Sequence, residues 1–327
     1  MEDMINTIDS DLWQAVSASP FNAIDYEYLL ATDPSKIREK EMELSLKSPL
    51  LEIPQPIDVT NIDLPSSDKH RRIRVRTYRP KGGKSLPVLL YFHGGAFIYG
   101  TPEQYDFLFF SLVQDLPLLV VSVDYRLAPE NPFPAGWKDG CDVLRWLSEN
   151  ADDLGGNRNN IMIGGSSAGA TIAASVTHWA RDQKNLKIRH QYLLYPPMSH
   201  ILDSPSMNEL KNAPLQTRKA AEWMWKHYLQ SYIADPPKYA VPLSENNLKD
   251  LPDATIIICE LDPLKDEGIR YAEKLKEADV AANVVEIKGA VHAFDFFPCP
   301  LSYTFYRQQV ALFKQIVHKN NEENNSH

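Results

Sequence analysis

The feature that most constrains this chain is a recurrence of short apolar runs separated by stretches of helical period. The runs lie at residues 87–92, 118–123, 160–163, 189–195, 254–259 and 283–287. They are rich in Val, Ile and Leu and bounded by Gly, Pro or Asn, the pattern of strands buried on both faces. Repeated β–α alternation predicts an α/β fold with a mostly parallel central sheet and helices on both sides. Upstream, residues 57–64 and 72–78 alternate in period two, which predicts an antiparallel pair at the sheet edge and brings the total to about eight strands. Near the end, Tyr303, Tyr306, Val310, Phe313 and Val317 step by three and four, predicting one apolar helix face.

Two stretches break the alternation. Residues 1–50 read as helical, and residues 198–240 are too long for a simple crossover. The second stretch holds Trp223, Met224, Trp225, Tyr228 and Tyr232. Together the two predict a small helical cap over a body made of 51–197 and 241–319, with 320–327 as a loose Asn/Glu tail.

Composition narrows the partners. Lys plus Arg is 34 and Asp plus Glu is 43, a net charge of −9, which argues against a bulk electrostatic grip on nucleic acid or anionic lipid. The one basic run, residues 69–76, alternates basic with apolar from Arg72 and predicts a half-exposed strand with a charged outer face. Cys141, Cys259 and Cys299 are far apart and form no C-x-x-C, so neither a disulfide scaffold nor a thiolate metal site is expected. No H-E-x-x-H and no Cys/His cluster is present, so no metal is expected. Residues 1–6 are acidic and no apolar run reaches the length of a membrane span. The expectation is a soluble, cytoplasmic protein without stable membrane insertion or a nucleic-acid partner.

Four segments carry chemistry. Residues 160–170 run from an apolar strand through Gly165-Ser166-Ser167-Ala168-Gly169 into a small-residue helix, the context of a tight nucleophile turn. Residues two before and two after the nucleophile must be nearly without side chains, which favours Ser167. Ser166, flanked by Gly164 and Ala168, is the poorer alternative. Directly after another strand comes His93-Gly94-Gly95-Ala96-Phe97. Glycines there let backbone N–H groups approach a reacting carbonyl, so Gly94, Gly95 and Ala168 are candidate oxyanion donors, with His93 shaping the loop. Asp262 follows the strand at 254–259 and can orient a histidine; Glu260 competes with it on spacing alone. Asp266 and Glu267 read as acids of a helix's first turn. His292 follows the last strand and Gly289. Ser167, Asp262 and His292 therefore occur in the Ser…Asp…His order of α/β-hydrolases.

At these residues the chain resembles the hormone-sensitive-lipase-like carboxylesterases (bacterial family IV), which are related to arylacetamide deacetylases. His93 to Ala96 resembles the family's His-Gly-Gly-Gly. Asp124 to Glu130 followed by Pro132-Phe133-Pro134-Ala135 matches its Asp-Tyr-Arg-Leu-Ala-Pro-Glu…Pro-Phe-Pro-Ala. Gly165 to Gly169, Asp262 to Gly268 and His292 to Phe294 match its remaining motifs. Ala96 and Ala293 stand where the pattern has glycine, Ser166 where it has aspartate, and Lys265 where it has arginine.

The resemblance implies an α/β-hydrolase fold and a serine carboxylesterase acting on small-molecule, short- to medium-chain acyl esters. It implies Ser167 as nucleophile, His292 as base and Asp262 as acid, with no cofactor. It also implies an acyl pocket near Phe97, Tyr195 and Trp223, a structural role for Asp124, Arg126 and Glu130, and compatibility with a homodimer. The same site would serve an amide or a lactone. A non-catalytic receptor on this fold, as in the related plant gibberellin receptors, lacks the histidine that is present here.

Overall fold

A computed structural model describes residues 5–47 and 51–325, with side chains to Lys319. The eight strands are β1 (Ile57–Pro65), β2 (Arg72–Pro80), β3 (Leu86–Phe92), β4 (Leu119–Val123), β5 (Gly156–Ser166), β6 (Gln191–Leu194), β7 (Ala254–Cys259) and β8 (Ala282–Ile287). They form one sheet in the order β1-β2-β4-β3-β5-β6-β7-β8. β2 runs antiparallel to both β1 and β4, and every pair from β4 to β8 is parallel. Every residue of β3, β4 and β7 is buried, because helices cover both faces of the sheet.

The longer helices are α1 (Ser10–Ala18), α2 (Tyr26–Thr32), α3 (Ser35–Lys47), α4 (Asp106–Asp115) and α5 (Ala135–Asn150), then α6 (Ala168–Gln183), α7 (Pro205–Glu209), α8 (Arg218–Leu229), α9 (Lys265–Glu277) and α10 (Pro300–Asn325). One core lies between the sheet and α5, α6 and α9, where Val143, Ile172 and Leu275 are buried together. A second lies on the opposite face beneath α1, α4 and α10, where Leu12, Phe109 and Phe313 are buried. A third, smaller cluster joins α2 and α3 to α8, with Leu29, Ile37 and Ala220 packed on Ile98.

The cap is therefore smaller than the sequence predicted. Within 1–50, α1 buries Leu12 and Val16 in the body, and the Asp9 N–H donates to the Gly289 carbonyl at 3.0 Å. Within 198–240, α7 is bonded to the body: the Ser206 N–H donates to Asp266 at 2.8 Å and the Ser206 hydroxyl to the Pro263 carbonyl at 2.7 Å. Helices α2 and α3 stand apart from both main cores and pack on α8, which itself buries Ala221, Met224, Trp225, Tyr228 and Leu229 in the first core. The two pieces are joined by Thr217 to Glu27 and by His227 Nε2 donating to the Leu30 carbonyl at 2.7 Å.

The buried face of α10 holds the predicted Val310 and Phe313, with Tyr306 and Val317 packed against the same core. Phe305, Gln309, Phe313 and Ile316 point inward, and Tyr303 is exposed. The tail predicted from residue 320 continues as α10 backbone to Asn325; the side chains of 320–325, and residues 326–327 entirely, lie outside the described residues. The basic strand is β2, with Arg74 paired to Glu103 and Asp124 and Arg76 to Asp106. Arg126 pairs with Asp139 and Asp68, and Glu130 with Arg38. These charges are committed to partners within the fold. No helix among the described residues is long and apolar enough to cross a membrane.

Candidate active site

Ser167 sits between β5 and α6 at φ 51°, ψ −126°, a conformation that costs a non-glycine residue of order 1–3 kcal/mol and persists because its surroundings enforce it. The pinch is steric. A Cβ on Gly165 would lie 2.4 Å from the Gly169 carbonyl carbon, and one on Gly169 would lie 2.1 Å from the Phe92 oxygen. The turn leaves Ser167 at 8% exposure, whereas Ser166 is sealed at 0%. Only Ser167 is reachable, and its Oγ lies 2.9 Å from His292 Nε2.

His292 is carried on the loop after β8. Its Nδ1 donates to Asp262 Oδ2 at 2.6 Å, which leaves Nε2 free to accept the Ser167 hydroxyl proton. The other Asp262 oxygen accepts the Leu264 N–H at 2.9 Å, fixing the carboxylate. Glu260, the rival acid, faces away; it accepts the Gly289 N–H at 2.8 Å and pairs with Lys288. Asp266 and Glu267 are more than first-turn acids. Asp266 caps the start of α7, and Glu267 is fully buried and accepts the Met198 and Ser199 N–H groups at 2.7 and 2.9 Å.

The loop after β3 corrects one expected donor. The Gly94 N–H is taken, donating to the Tyr105 hydroxyl at 2.8 Å. His93 Nδ1 donates to the Gly94 carbonyl at 2.7 Å, and Tyr125 donates to the His93 carbonyl at 2.8 Å. His93 stacks on Tyr125, and burial lowers its pKa to about 4, so it shapes the loop as a neutral ring. The Gly95 carbonyl accepts from the N–H groups of Ile98 and Tyr99. In a trans peptide the N–H points opposite to the C=O. Two anchored carbonyls thus aim the N–H groups of Gly95 and Ala96 the other way. Among the described residues no acceptor bonds the N–H of Gly95, Ala96 or Ala168. The open donors are those three, with Ala96 in place of Gly94.

The three expected pocket residues divide. Tyr195 packs edge-on against His292 with ring centres 4.8 Å apart, and its hydroxyl donates to Asp295 at 2.8 Å. Phe97 is buried and stacked on Tyr228 of α8 at 3.8 Å. Trp223 is partly buried against the cluster that holds Ile98, beside His227 and under Lys226. Asp295 was not singled out by the sequence; burial raises its pKa to about 6, three residues beyond His292. Five of the thirteen described non-glycine residues with positive φ are Ala96, Phe97, Ser167, Tyr195 and Ala293.

Comparisons with known proteins bear on the family and the fold. The sequence signature of the alpha/beta hydrolase fold matches residues 89–296. The chain is 32% identical over 299 residues to the carboxylic ester hydrolase LipN of Mycobacterium tuberculosis, spanning 88% of this chain and 77% of that one. It is 33% identical to an arylesterase of Saccharolobus solfataricus, covering 79% and 83%. Among solved structures, a bacterial heroin esterase superposes with a TM-score of 0.87 at 29% identity, covering 95% of this chain and 98% of that one. An esterase of Pyrobaculum calidifontis gives 0.82 at 31% identity, covering 95% and 99%. The hydrogen-bonded Ser167, His292 and Asp262 on this sheet, together with these matches, mean that the chain belongs to the α/β-hydrolase family, in its hormone-sensitive-lipase-like branch.

Proposed function

We propose that the protein is a serine carboxylesterase acting on short- to medium-chain acyl esters. The observation that carries this reading is the continuous hydrogen-bonded line from Ser167 through His292 to Asp262, beside three unpaired backbone N–H groups. Ser167 Oγ attacks the ester carbonyl while its proton passes to His292 Nε2. The Asp262 carboxylate stabilises the imidazolium and holds its orientation. The developing oxyanion is met by the N–H groups of Gly95, Ala96 and Ala168; losing one such donor typically costs roughly 3 kcal/mol of transition-state stabilisation. His292 then protonates the leaving alcohol, the C–O bond breaks and an acyl-enzyme forms. Water, deprotonated by His292, releases the acid and restores Ser167.

The oxyanion loop runs directly into Ile98, which α2, α3 and α8 cover, so the acyl chain must fit beneath that cover. This supports a limit on chain length. The test is hydrolysis of p-nitrophenyl acetate, butyrate, octanoate and palmitate by the wild type and by Ser167→Ala, with folding checked by circular dichroism. Activity should peak at the short chains and vanish in the folded variant. A folded variant with wild-type turnover would overturn the Ser167 assignment. A folded wild type that hydrolyses none of the four esters would overturn the esterase reading.

A further inference from the structure

We propose that Tyr105 is a positioning residue for the Gly95 oxyanion donor, held in register with the nucleophile by Ser166. The inference rests on the esterase reading above. Tyr105 ends the single turn Pro102–Tyr105 and is 2% exposed. Its ring is fixed by Tyr91 at 5.4 Å and by the edge-on ring of Phe296 at 5.0 Å. The hydroxyl is shared between two elements of the site. It accepts the Gly94 N–H at 2.8 Å and also contacts Ser166 Oγ, in the residue next to the nucleophile. Burial drives the phenol's pKa well above its ordinary value, so the oxygen keeps its proton and can both accept the Gly94 N–H and share a hydrogen bond with the Ser166 hydroxyl.

The packing permits little adjustment. A Cβ on Gly94 would stand 3.1 Å from the Tyr105 hydroxyl and 3.2 Å from both the Ser166 carbonyl and hydroxyl oxygens. The peptide between His93 and Gly94 is therefore wedged against the nucleophile turn, with Tyr105 bonded to its N–H and Tyr125 to its C=O. Rotating that peptide tilts the next one, whose N–H is the Gly95 donor. One side chain thus sets where the Gly95 donor lies relative to Ser167, although it touches neither the substrate nor the reacting atoms.

The experiment compares wild type, Tyr105→Phe and Ser166→Ala. The readouts are kcat and KM for p-nitrophenyl butyrate and the inhibition constant of an alkyl trifluoromethyl ketone. Ser167 Oγ adds to the ketone carbonyl, its proton passes to His292, and the alkoxide occupies the oxyanion position. Tyr105→Phe should lower kcat roughly 10- to 100-fold with KM within about twofold, and weaken the ketone by the same factor as kcat. Ser166→Ala should move both in the same direction by less. Three outcomes overturn the inference: kcat and ketone affinity unchanged in folded Tyr105→Phe, KM rising with kcat intact, or kcat falling with ketone affinity intact. Should Tyr105→Phe not fold, Ser166→Ala decides by the same criteria. A wild type that neither hydrolyses the ester nor binds the ketone removes the esterase reading and this inference with it; an active wild type with a neutral Tyr105→Phe removes this inference alone.

Discussion

Ala96 and Ala293 stand where the related pattern has glycine, and both have positive φ, 53° and 55°. An L-residue there is strained by about 1–2 kcal/mol, against which a glycine loses about 0.5–1 kcal/mol of unfolded-chain entropy. Ala293→Gly should therefore stabilise the protein by about 0.5 kcal/mol, raising the melting temperature in calorimetry without shifting the Ser167–His292 contact; a drop in melting temperature would contradict the strain argument. At this scale the sequence was most legible where a residue's role follows from its own neighbours. Ser167 was readable because Gly165 and Gly169 flank it, and His292 because it follows the last strand. Tyr105 was not readable. Its partner Ser166 lies 61 positions away, and nothing in the local run Pro102-Glu103-Gln104 marks it. The displaced donor at Gly94 was hidden for the same reason, since its N–H is taken by that distant hydroxyl.

At the scale of elements, α9 carries a buried acid with a consequence for pH. Glu267 is sealed, accepts two backbone N–H groups through one oxygen, and leaves the other oxygen without a partner. Burial, the largest cause, raises its pKa to about 8. The folded state thus holds this proton more tightly than the unfolded chain does. The associated stability is fully present below the ordinary glutamate range and is lost as pH rises through about 8. Thermal melts from pH 5 to 9 should show wild type weakening toward the alkaline end more steeply than Glu267→Gln; parallel curves would refute the assignment. Strand positions were legible because apolar runs buried on both faces have only one way to be satisfied. The full width of the α10 face was not: the predicted Tyr306, Val310, Phe313 and Val317 meet the core, but Phe305, Gln309 and Ile316 beside them are buried too, and Tyr303 is exposed.

At the scale of the molecule, the division into body and cover was legible as two insertions but not in its boundary. Helical period reveals an apolar face without telling which surface will receive it, and α1 and α2 carry similar faces with different destinations. Leu12 of α1 is fully buried with Ala290, Val291 and Phe294, residues of the loop that bears His292. Leu12→Ala should cost about 2–4 kcal/mol by chemical denaturation and lower kcat as that loop loosens. A change confined to KM would return α1 to the cover.

The bond between Asp9 and Gly289 has a further consequence, for the timing of synthesis. Residues around Asp9 find their place only when residues around Gly289 have been made, so a contact of long sequence separation lies three residues from His292. A nascent chain halted before β8 would hold the nucleophile turn but neither the base nor the surface that α1 covers. Ester cleavage during translation should therefore switch on late and abruptly, and the apolar face of α1 is the segment a chaperone would have to shield in the interval.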